Sequence, residues 1–340
     1  MSTKLRWGVL GVAKIATTKV IPAVQRGARS TVAAIASRDA TRASQCALSL
    51  GIPRHYASYD ALLADPEIDI IYNPLPNHLH VPWSIRAMEA GKHVLCEKPL
   101  GLSTGEIRTL IDVRNRTGRK AGEAFMVAVH PQWLRARAAI RAGEIGDLRA
   151  VTGWFSYSNR NPQNVRNIPE YGGGGLMDIG CYPIFIARYL FGQEPVRACG
   201  TLELDPDFHT DRLTSAILEF PAGQAIFTCS TQLVGAQRIV AFGTHGQVEI
   251  EIPFNAPPDV PTRIWINGIE ETFPICDQYT IQGDLFSEAT EDRIPVPVPI
   301  DDSLHTMAAI EAIALSGRSG RWEAVSAGDA AHLGRKPGAG

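Results

Sequence analysis

The chain has 340 residues, of which 45% are apolar and 20% charged, and a formal net charge of −2. That length exceeds what one hydrophobic core usually organises, so two domains are expected. There is no basic excess to suggest nucleic acid, and no apolar run approaches the ~20 residues that span a bilayer. The six cysteines are scattered, with no C-x-x-C and no zinc-type Cys/His spacing, so they read as free thiols of a reducing cytoplasm without a metal.

From the N-terminus, Leu5 to Leu10 already reads as a strand and not as the apolar core of a signal peptide. Strands are expected at Arg6–Gly11, Thr31–Ser37, Asp69–Asn73, His93–Cys96 and Ala121–Phe125, with helices near 15–27, 40–50, 78–90 and 103–117 between them. Asp39 and Ser103 are suited to cap two of these helices, and Gly27, Gly51, Gly91 and Gly118 follow helix ends. Strands alternating with helices of this length imply right-handed βαβ units and a parallel sheet.

Past Met126 the pattern changes. A helix over 131–143 leads to the β-like run Leu148–Tyr157, a polar loop at 158–173 and a helix over 174–190. Seven strands are expected near 195–204, 212–220, 224–233, 236–243, 247–252, 262–267 and 270–275, several separated by hairpin turns such as Asn267-Gly268, which predicts an antiparallel, meander-like sheet. Helices near 279–291 and 303–316 follow, and Lys336 to Gly340 reads as a frayed tail. The boundary falls near 125–130, which divides the chain into a nucleotide-binding unit (1–125) and a unit for substrate and oligomer contacts (126–335).

Four segments directly follow strands, and in a parallel sheet they share one edge. The first is Gly11-Val12-Ala13-Lys14-Ile15-Ala16, a G-x-G-x-x-G/A turn in which Ala13 replaces the middle glycine. A tight turn that opens a helix aims backbone N–H groups at a pyrophosphate. The second is Ser37-Arg38, where a hydroxyl and a guanidinium suit the 2′-phosphate of NADP better than the ribose of NAD. Asp39 beside them either caps the next helix or binds a ribose. The third is Asn73-Pro-Leu75-Pro76-Asn77-His78-Leu-His80, whose two prolines stiffen a loop able to meet a ribose or nicotinamide. His80 is expected to begin a helix and border the cofactor; no third ligand completes a metal site with His78 and His80. The fourth is Glu97-Lys98-Pro99, whose charges point into the crevice where open α/β sheets bind ligands. A cis Lys98–Pro99 bond is one way to turn that strand end.

A second constellation is Gly172-Gly-Gly-Gly175-Leu-Met-Asp178-Ile-Gly180-Cys-Tyr182. Asp178 and Tyr182 lie one helical turn apart on one face. Read structurally, Asp178 satisfies backbone groups and Tyr182 is core. Read chemically, a carboxylate, a phenol and Lys98 facing one nicotinamide form a proton relay for alcohol/ketone interconversion.

Together these motifs resemble the glucose–fructose oxidoreductase / inositol dehydrogenase / MocA family. The likeness spans nearly the whole chain, from the Gly11 turn through Leu-Pro-Asn-x-x-His, Ala-Gly-Lys-His-Val-Leu-Cys-Glu-Lys-Pro and Glu-Ala-Phe-Met to Gly-Gly-Gly-x-x-x-Asp-x-Gly-x-Tyr. It implies a Rossmann domain (doubly wound, parallel) plus a C-terminal α+β domain whose open, mainly antiparallel sheet builds a homodimer or homotetramer. It also implies an NADP(H)-dependent oxidoreductase of sugars or related polyols and ketones, with NAD as the other possible cofactor. Lys98 matches the family's catalytic lysine, Asp178 its active-site aspartate, and Tyr182 the position that is Tyr on the sugar-oxidoreductase side of the family. In that relay Tyr182 exchanges the hydroxyl proton and Lys98 lowers its pKa. Arg166 and His130 are further candidate contacts to substrate or cofactor. Ala128-Val129 stands where many relatives carry polar or basic residues, on a strand end taken to face the substrate. Two alternatives stand beside this reading: a dihydrodiol-dehydrogenase-like reductase of apolar carbonyls, and a nucleotide-binding sensor without turnover.

Overall fold

A computed structural model describes residues 4–327, so the expected tail at Lys336–Gly340 lies outside the described residues. The first half alternates β1 (Leu5–Leu10), α1 (Ile21–Arg26), β2 (Ser30–Ala36), α2 (Ala40–Leu50), β3 (Arg54–Tyr56), α3 (Tyr59–Leu63), β4 (Ile70–Asn73), α4 (His80–Glu89), β5 (His93–Cys96), α5 (Thr104–Thr117) and β6 (Ala121–Glu123). The six strands form one parallel sheet in the order β3-β2-β1-β4-β5-β6, the doubly wound arrangement whose ligand crevice lies where the order reverses. Helices on both faces bury β4 completely, which is why it reads as unbroken apolar sequence up to Asn73. β3 and α3 were not expected from sequence: β3 is a three-residue, partly exposed edge strand with no apolar run to announce it.

The second half contains α6 (Pro131–Arg141), β7 (Leu148–Ser158), α7 (Cys181–Phe191), β8 (Arg197–Leu204), β9 (Asp211–Phe220), β10 (Gly223–Ser230), β11 (Gln232–Gly243), β12 (Gln247–Ile250), β13 (Thr262–Ile266) and β14 (Ile269–Phe273). Then follow α8 (Gln278–Thr290), α9 (Ile300–Ser319) and β15 (Glu323–Ala324). The nine-stranded sheet runs β14-β13-β12-β11-β7-β10-β9-β8-β15. It is not the simple meander expected: β7 slots between β11 and β10 and pairs in parallel with β10, while its other neighbour, β11, is antiparallel. One face of the sheet is covered by α7 and α9. On the other face Trp154, Ile226 and Phe242 remain 38%, 43% and 37% exposed.

The two units share α8. Trp7 of β1 is fully buried, stacks edge-on against Phe286 at 6.2 Å and donates its indole N–H to Ser287 Oγ (3.3 Å). The backbone N–H groups of Ala28 and Arg29 donate to Asp284 at 3.0 and 2.9 Å. A helix remote in sequence thus closes one face of the first sheet, and the crevice keeps a fixed far wall.

Candidate active site

The cofactor edge is built mostly from backbone. Gly11 adopts φ +80°, a left-handed conformation that favours glycine, and a Cβ there would lie 2.9 Å from Leu75 Cδ2. Leu75, itself buried, therefore backs directly onto the turn. Val12, Ala13, Lys14 and Ile15 follow, partly to fully exposed, at the start of the helical stretch that becomes α1. Ala13 is accommodated, and its carbonyl accepts the Thr17 N–H at 3.0 Å. Such a helix start offers unpaired N–H groups to an anion.

Past β2, Ser37 Oγ accepts the Asp39 N–H (3.1 Å) and Asp39 Oδ1 accepts the Arg42 N–H (3.1 Å). Of the two roles open to Asp39, the structure has the helix cap. Arg38 is exposed and makes no ion pair among the described residues, so a phosphate can have its guanidinium.

The loop after β4 is braced from within. The fully buried Asn73 donates its amide to His80 O (2.9 Å) and Ser84 Oγ (3.1 Å), so this amide is not free for a ribose. The ring nitrogens of His80 lie 2.8 Å from Pro99 O and 2.6 Å from Leu75 O, with the side chain buried. His80 begins α4 as expected, and both its ring nitrogens tie the Leu75 loop to the turn after Lys98. Burial holds its pKa down at about 4, so the ring is neutral and donates to only one of the two carbonyls. Pro76 and Asn77 are half-exposed, and Asn77 donates its amide to Gly172 O at 2.9 Å. His78 stacks on Tyr171 at 4.3 Å, a second contact between the same two loops.

Glu97 and Lys98 leave β5 in opposite directions. Glu97 Oε1 accepts the Tyr72 hydroxyl proton at 2.6 Å; burial raises its pKa, and Tyr72 and Lys98 hold the rise in check. The Lys98–Pro99 peptide is cis. Lys98 Nζ crosses to the second unit, donating to Asp178 O (2.6 Å) and Oδ1 (3.3 Å). Burial opposes its charge, but the Asp178 carboxylate prevails and lifts the lysine above its ordinary pKa.

Asp178 lies on a single π-type turn, Leu176–Gly180, that feeds α7. The glycine run before it is shaped from outside. Gly174 adopts φ +116°, and a Cβ there would fall on Asp211 Oδ1. Asp211 in turn accepts the Leu176 N–H at 2.7 Å. Asp178 Oδ2 accepts from the Tyr157 hydroxyl (2.6 Å) and from Arg166 Nε (2.8 Å). Burial would push this carboxyl up, yet Arg166, Lys98 and Tyr157 together hold it well below the usual carboxylate range.

Tyr182 is 5% exposed and boxed by Phe125, Phe155 and Phe254 with ring centroids 5.2–5.6 Å away. Lys98 Nζ lies over its ring face, 4.9 Å from the centroid, while its hydroxyl points to Met126 Sδ at 3.7 Å. Burial, followed by neighbours that include Tyr279, Glu97 and Asp178, raises the phenol well above its ordinary pKa. Burial raises the phenol although the Lys98 ammonium, expected to lower it, stands over the face of the ring. Thioether sulfur is a weak acceptor, so the phenol keeps a proton it can offer elsewhere.

Arg166, read from the sequence as a substrate or cofactor contact, pairs with Asp178 at 2.8 Å from a partly exposed position. His130 is fully buried and caps α6 through Nδ1, taking the Gln132 N–H at 3.2 Å. Ala128 and Val129 line a cleft of about 510 Å³ with Phe185, Arg188 and Pro297, whose walls include none of Lys98, Asp178 and Tyr182. Tyr157 was missed altogether. The one signal for it is alternation: with Phe155 it shares the inward face of β7. No group of three or more metal-ligating side chains occurs among the described residues. No helix among them is long and apolar enough to cross a membrane.

Comparison with known proteins agrees with this fold. Residues 5–125 match the model of an oxidoreductase family with an NAD-binding Rossmann fold, and residues 133–249 match the GFO/IDH/MocA C-terminal domain. The chain is 47% identical over 331 residues to an uncharacterized oxidoreductase of Rhizobium meliloti, covering 94% of this chain and 99% of the other. It is 37% identical over 329 residues to a D-xylose 1-dehydrogenase (NADP(+)) of Haloferax volcanii, covering 93% and 98%. Among solved structures, an aldose–aldose oxidoreductase from Caulobacter crescentus complexed with glycerol superposes with a TM-score of 0.87 at 29% identity, covering 95% and 100%.

Proposed function

The chain belongs to the GFO/IDH/MocA family of NAD(P)-dependent oxidoreductases, and from that premise we propose that it uses NADP(H) to interconvert a hydroxyl and a carbonyl on a sugar or related polyol. The observation that carries this reading is Lys98, pinned by Asp178 over the face of Tyr182 at the edge that also holds the Gly11 turn. NADP is favoured over NAD because Asp39 is consumed as a cap while Arg38 stands unpaired beside Ser37. The NADP-linked xylose dehydrogenase among the relatives points the same way.

Val12 to Ile15 would hold the pyrophosphate, Ser37 and Arg38 the 2′-phosphate, and Leu75 to Asn77 with Glu97 the nicotinamide end. When bound, the dinucleotide supplies a hydride acceptor or donor. Two of the three N–H groups of Lys98 go to Asp178, so the third remains for a substrate oxygen. A fixed ammonium there stabilises charge developing on that oxygen. The Tyr182 phenol retains its proton at neutral pH and is suited to deliver it when a carbonyl is reduced. Absorbance at 340 nm with NADP and NADPH, each against a panel of aldoses, keto-sugars and polyols, tests the reading; absence of turnover on the whole panel would refute it.

The uncovered sheet face suggests a second copy of the chain as partner, since Trp154, Ile226 and Phe242 form an exposed apolar stripe across three adjacent strands. Light scattering that finds only monomer would refute that assignment. Six unpaired cysteines are consistent with a cytoplasmic setting.

A further inference from the structure

The carboxylate that holds Lys98 is itself held by a residue outside the Lys98–Asp178–Tyr182 set. We infer that Tyr157 is a positioning residue for the reaction, acting through Asp178; the inference rests on the oxidoreductase reading above. Asp178 has two carboxylate oxygens with different duties. Oδ1 faces Lys98 Nζ, and Oδ2 takes the Tyr157 hydroxyl and Arg166 Nε. Arg166, from a short turn in an irregular loop, pairs with Oδ2 at 2.8 Å while its side chain stays 43% exposed. Tyr157 lies in β7 next to Ser156, which pairs with Ser230 of β10 and Ala236 of β11, and its hydroxyl is held 2.6 Å from Asp178 Oδ2. The same strand face carries Phe155 against Tyr182.

β7 thus sets two things at once: the ring on which Lys98 rests and the oxygen that orients the carboxylate pinning Lys98. A short O–H···O⁻ bond is of the stronger, charge-assisted kind. Its hydroxyl is fully committed to Asp178, whereas that of Tyr182 has only a sulfur partner. Tyr157 therefore holds the geometry, and Tyr182 is free to act on the substrate.

The test is Tyr157→Phe, alone and combined with Asp178→Asn. Losing one hydrogen bond to a charged group, ~1.4 kcal/mol, converts to roughly ten-fold in kcat, with KM and the NADPH Kd within about two-fold. In the Asp178→Asn background the same substitution should change kcat less than about two-fold, because the carboxylate it orients is gone. Equal losses in both backgrounds would overturn the inference. So would a raised KM with kcat kept, which would make Tyr157 a substrate contact. Thermal melting of the same four proteins gives a readout independent of turnover: the two substitutions should be non-additive in Tm, and strict additivity would refute the pairing. If no sugar is turned over, the oxidoreductase reading falls while the melting cycle still decides whether Tyr157 acts on Asp178.

Discussion

The two walls of the crevice are made from different materials. The wall on the parallel sheet is largely backbone at strand ends: the Gly11 turn, the start of the helix after it, and a proline-stiffened loop held by Asn73 and His80. The facing wall is side chain: Asp178, Tyr157, Arg166 and Tyr182, brought together from the turn before α7, β7, a loop and α7 itself, and joined to the first wall by Lys98. Backbone donors recognise what every dinucleotide has in common and need little from the rest of the molecule. Side-chain charges out of water need a partner for every group, and here each partner comes from a different element. Binding and chemistry should therefore separate under mutation.

The widest separation is expected at the side-chain wall. Tyr182→Phe keeps the ring among Phe125, Phe155 and Phe254 and removes only the hydroxyl. Stopped-assay kinetics should show kcat lower by about 10²–10⁴-fold with the NADPH Kd unchanged. Lys98→Ala should do comparable damage, and the double variant should lose far less than the product of the two, since the groups act as a unit. Near-normal kcat in Tyr182→Phe would erase the proposed division of labour.

The next effect reports on how the side-chain wall is supported. Gly174→Ala introduces a methyl onto Asp211 at a left-handed φ, with backbone strain alone costing about 1–3 kcal/mol. It should lower Tm and kcat together, whereas Gly51→Ala, also at positive φ but with nothing within 4 Å, should lower Tm only. A Gly174→Ala protein with normal kcat would show that the turn does not position Asp178.

At the opposite wall, Arg38→Ala should weaken NADP binding by about 2 kcal/mol and leave kcat at saturation alone. NAD binding should hardly move. Equal loss for both cofactors, read by fluorescence titration, would make Arg38 merely structural.

The smallest effect concerns a carboxyl beneath the junction of the two walls. Glu123 takes the Leu100 N–H at 2.8 Å, is 3% exposed, and is pushed by burial up to about 7. The folded chain keeps a proton that the unfolded chain, titrating near 4.5, gives up. Stability should fall as pH rises from about 4.5 through 7 and stay low above that range. Glu123→Gln should flatten this slope, with a Tm gain on the order of 2 °C at pH 8 and none at pH 5. A gain of equal size at both pH values would rule out the proton as its source.

The backbone wall was far easier to read from the sequence than the side-chain wall. Gly11, Ser37-Arg38, Leu75–Asn77 and Glu97-Lys98 each follow an apolar run that marks its own strand, so local patterning places them on one edge. Asp178 and Tyr182 were placed by helical spacing and by resemblance, but what surrounds them was not. The insertion of β7 beside β10 depends on pairing across some seventy residues, which no local pattern encodes. Tyr157 inherits that obscurity. The direction of the Tyr182 shift follows from burial among Phe125, Phe155 and Phe254, a fact of packing and not of spacing. β3 was lost because a short edge strand buries too little to need apolar sequence.

Lys98 belongs to the first unit and Asp178 to the second, with both side chains 10% exposed. Any swing that widens the gap between the units must part them, along with the Asn77–Gly172 bond and the His78–Tyr171 stack. Water entering the gap recovers only part of that cost, which is on the order of a few kcal/mol. The pair therefore ties the two units together across the crevice. Because the pair is buried, ionic strength should weaken this junction very little.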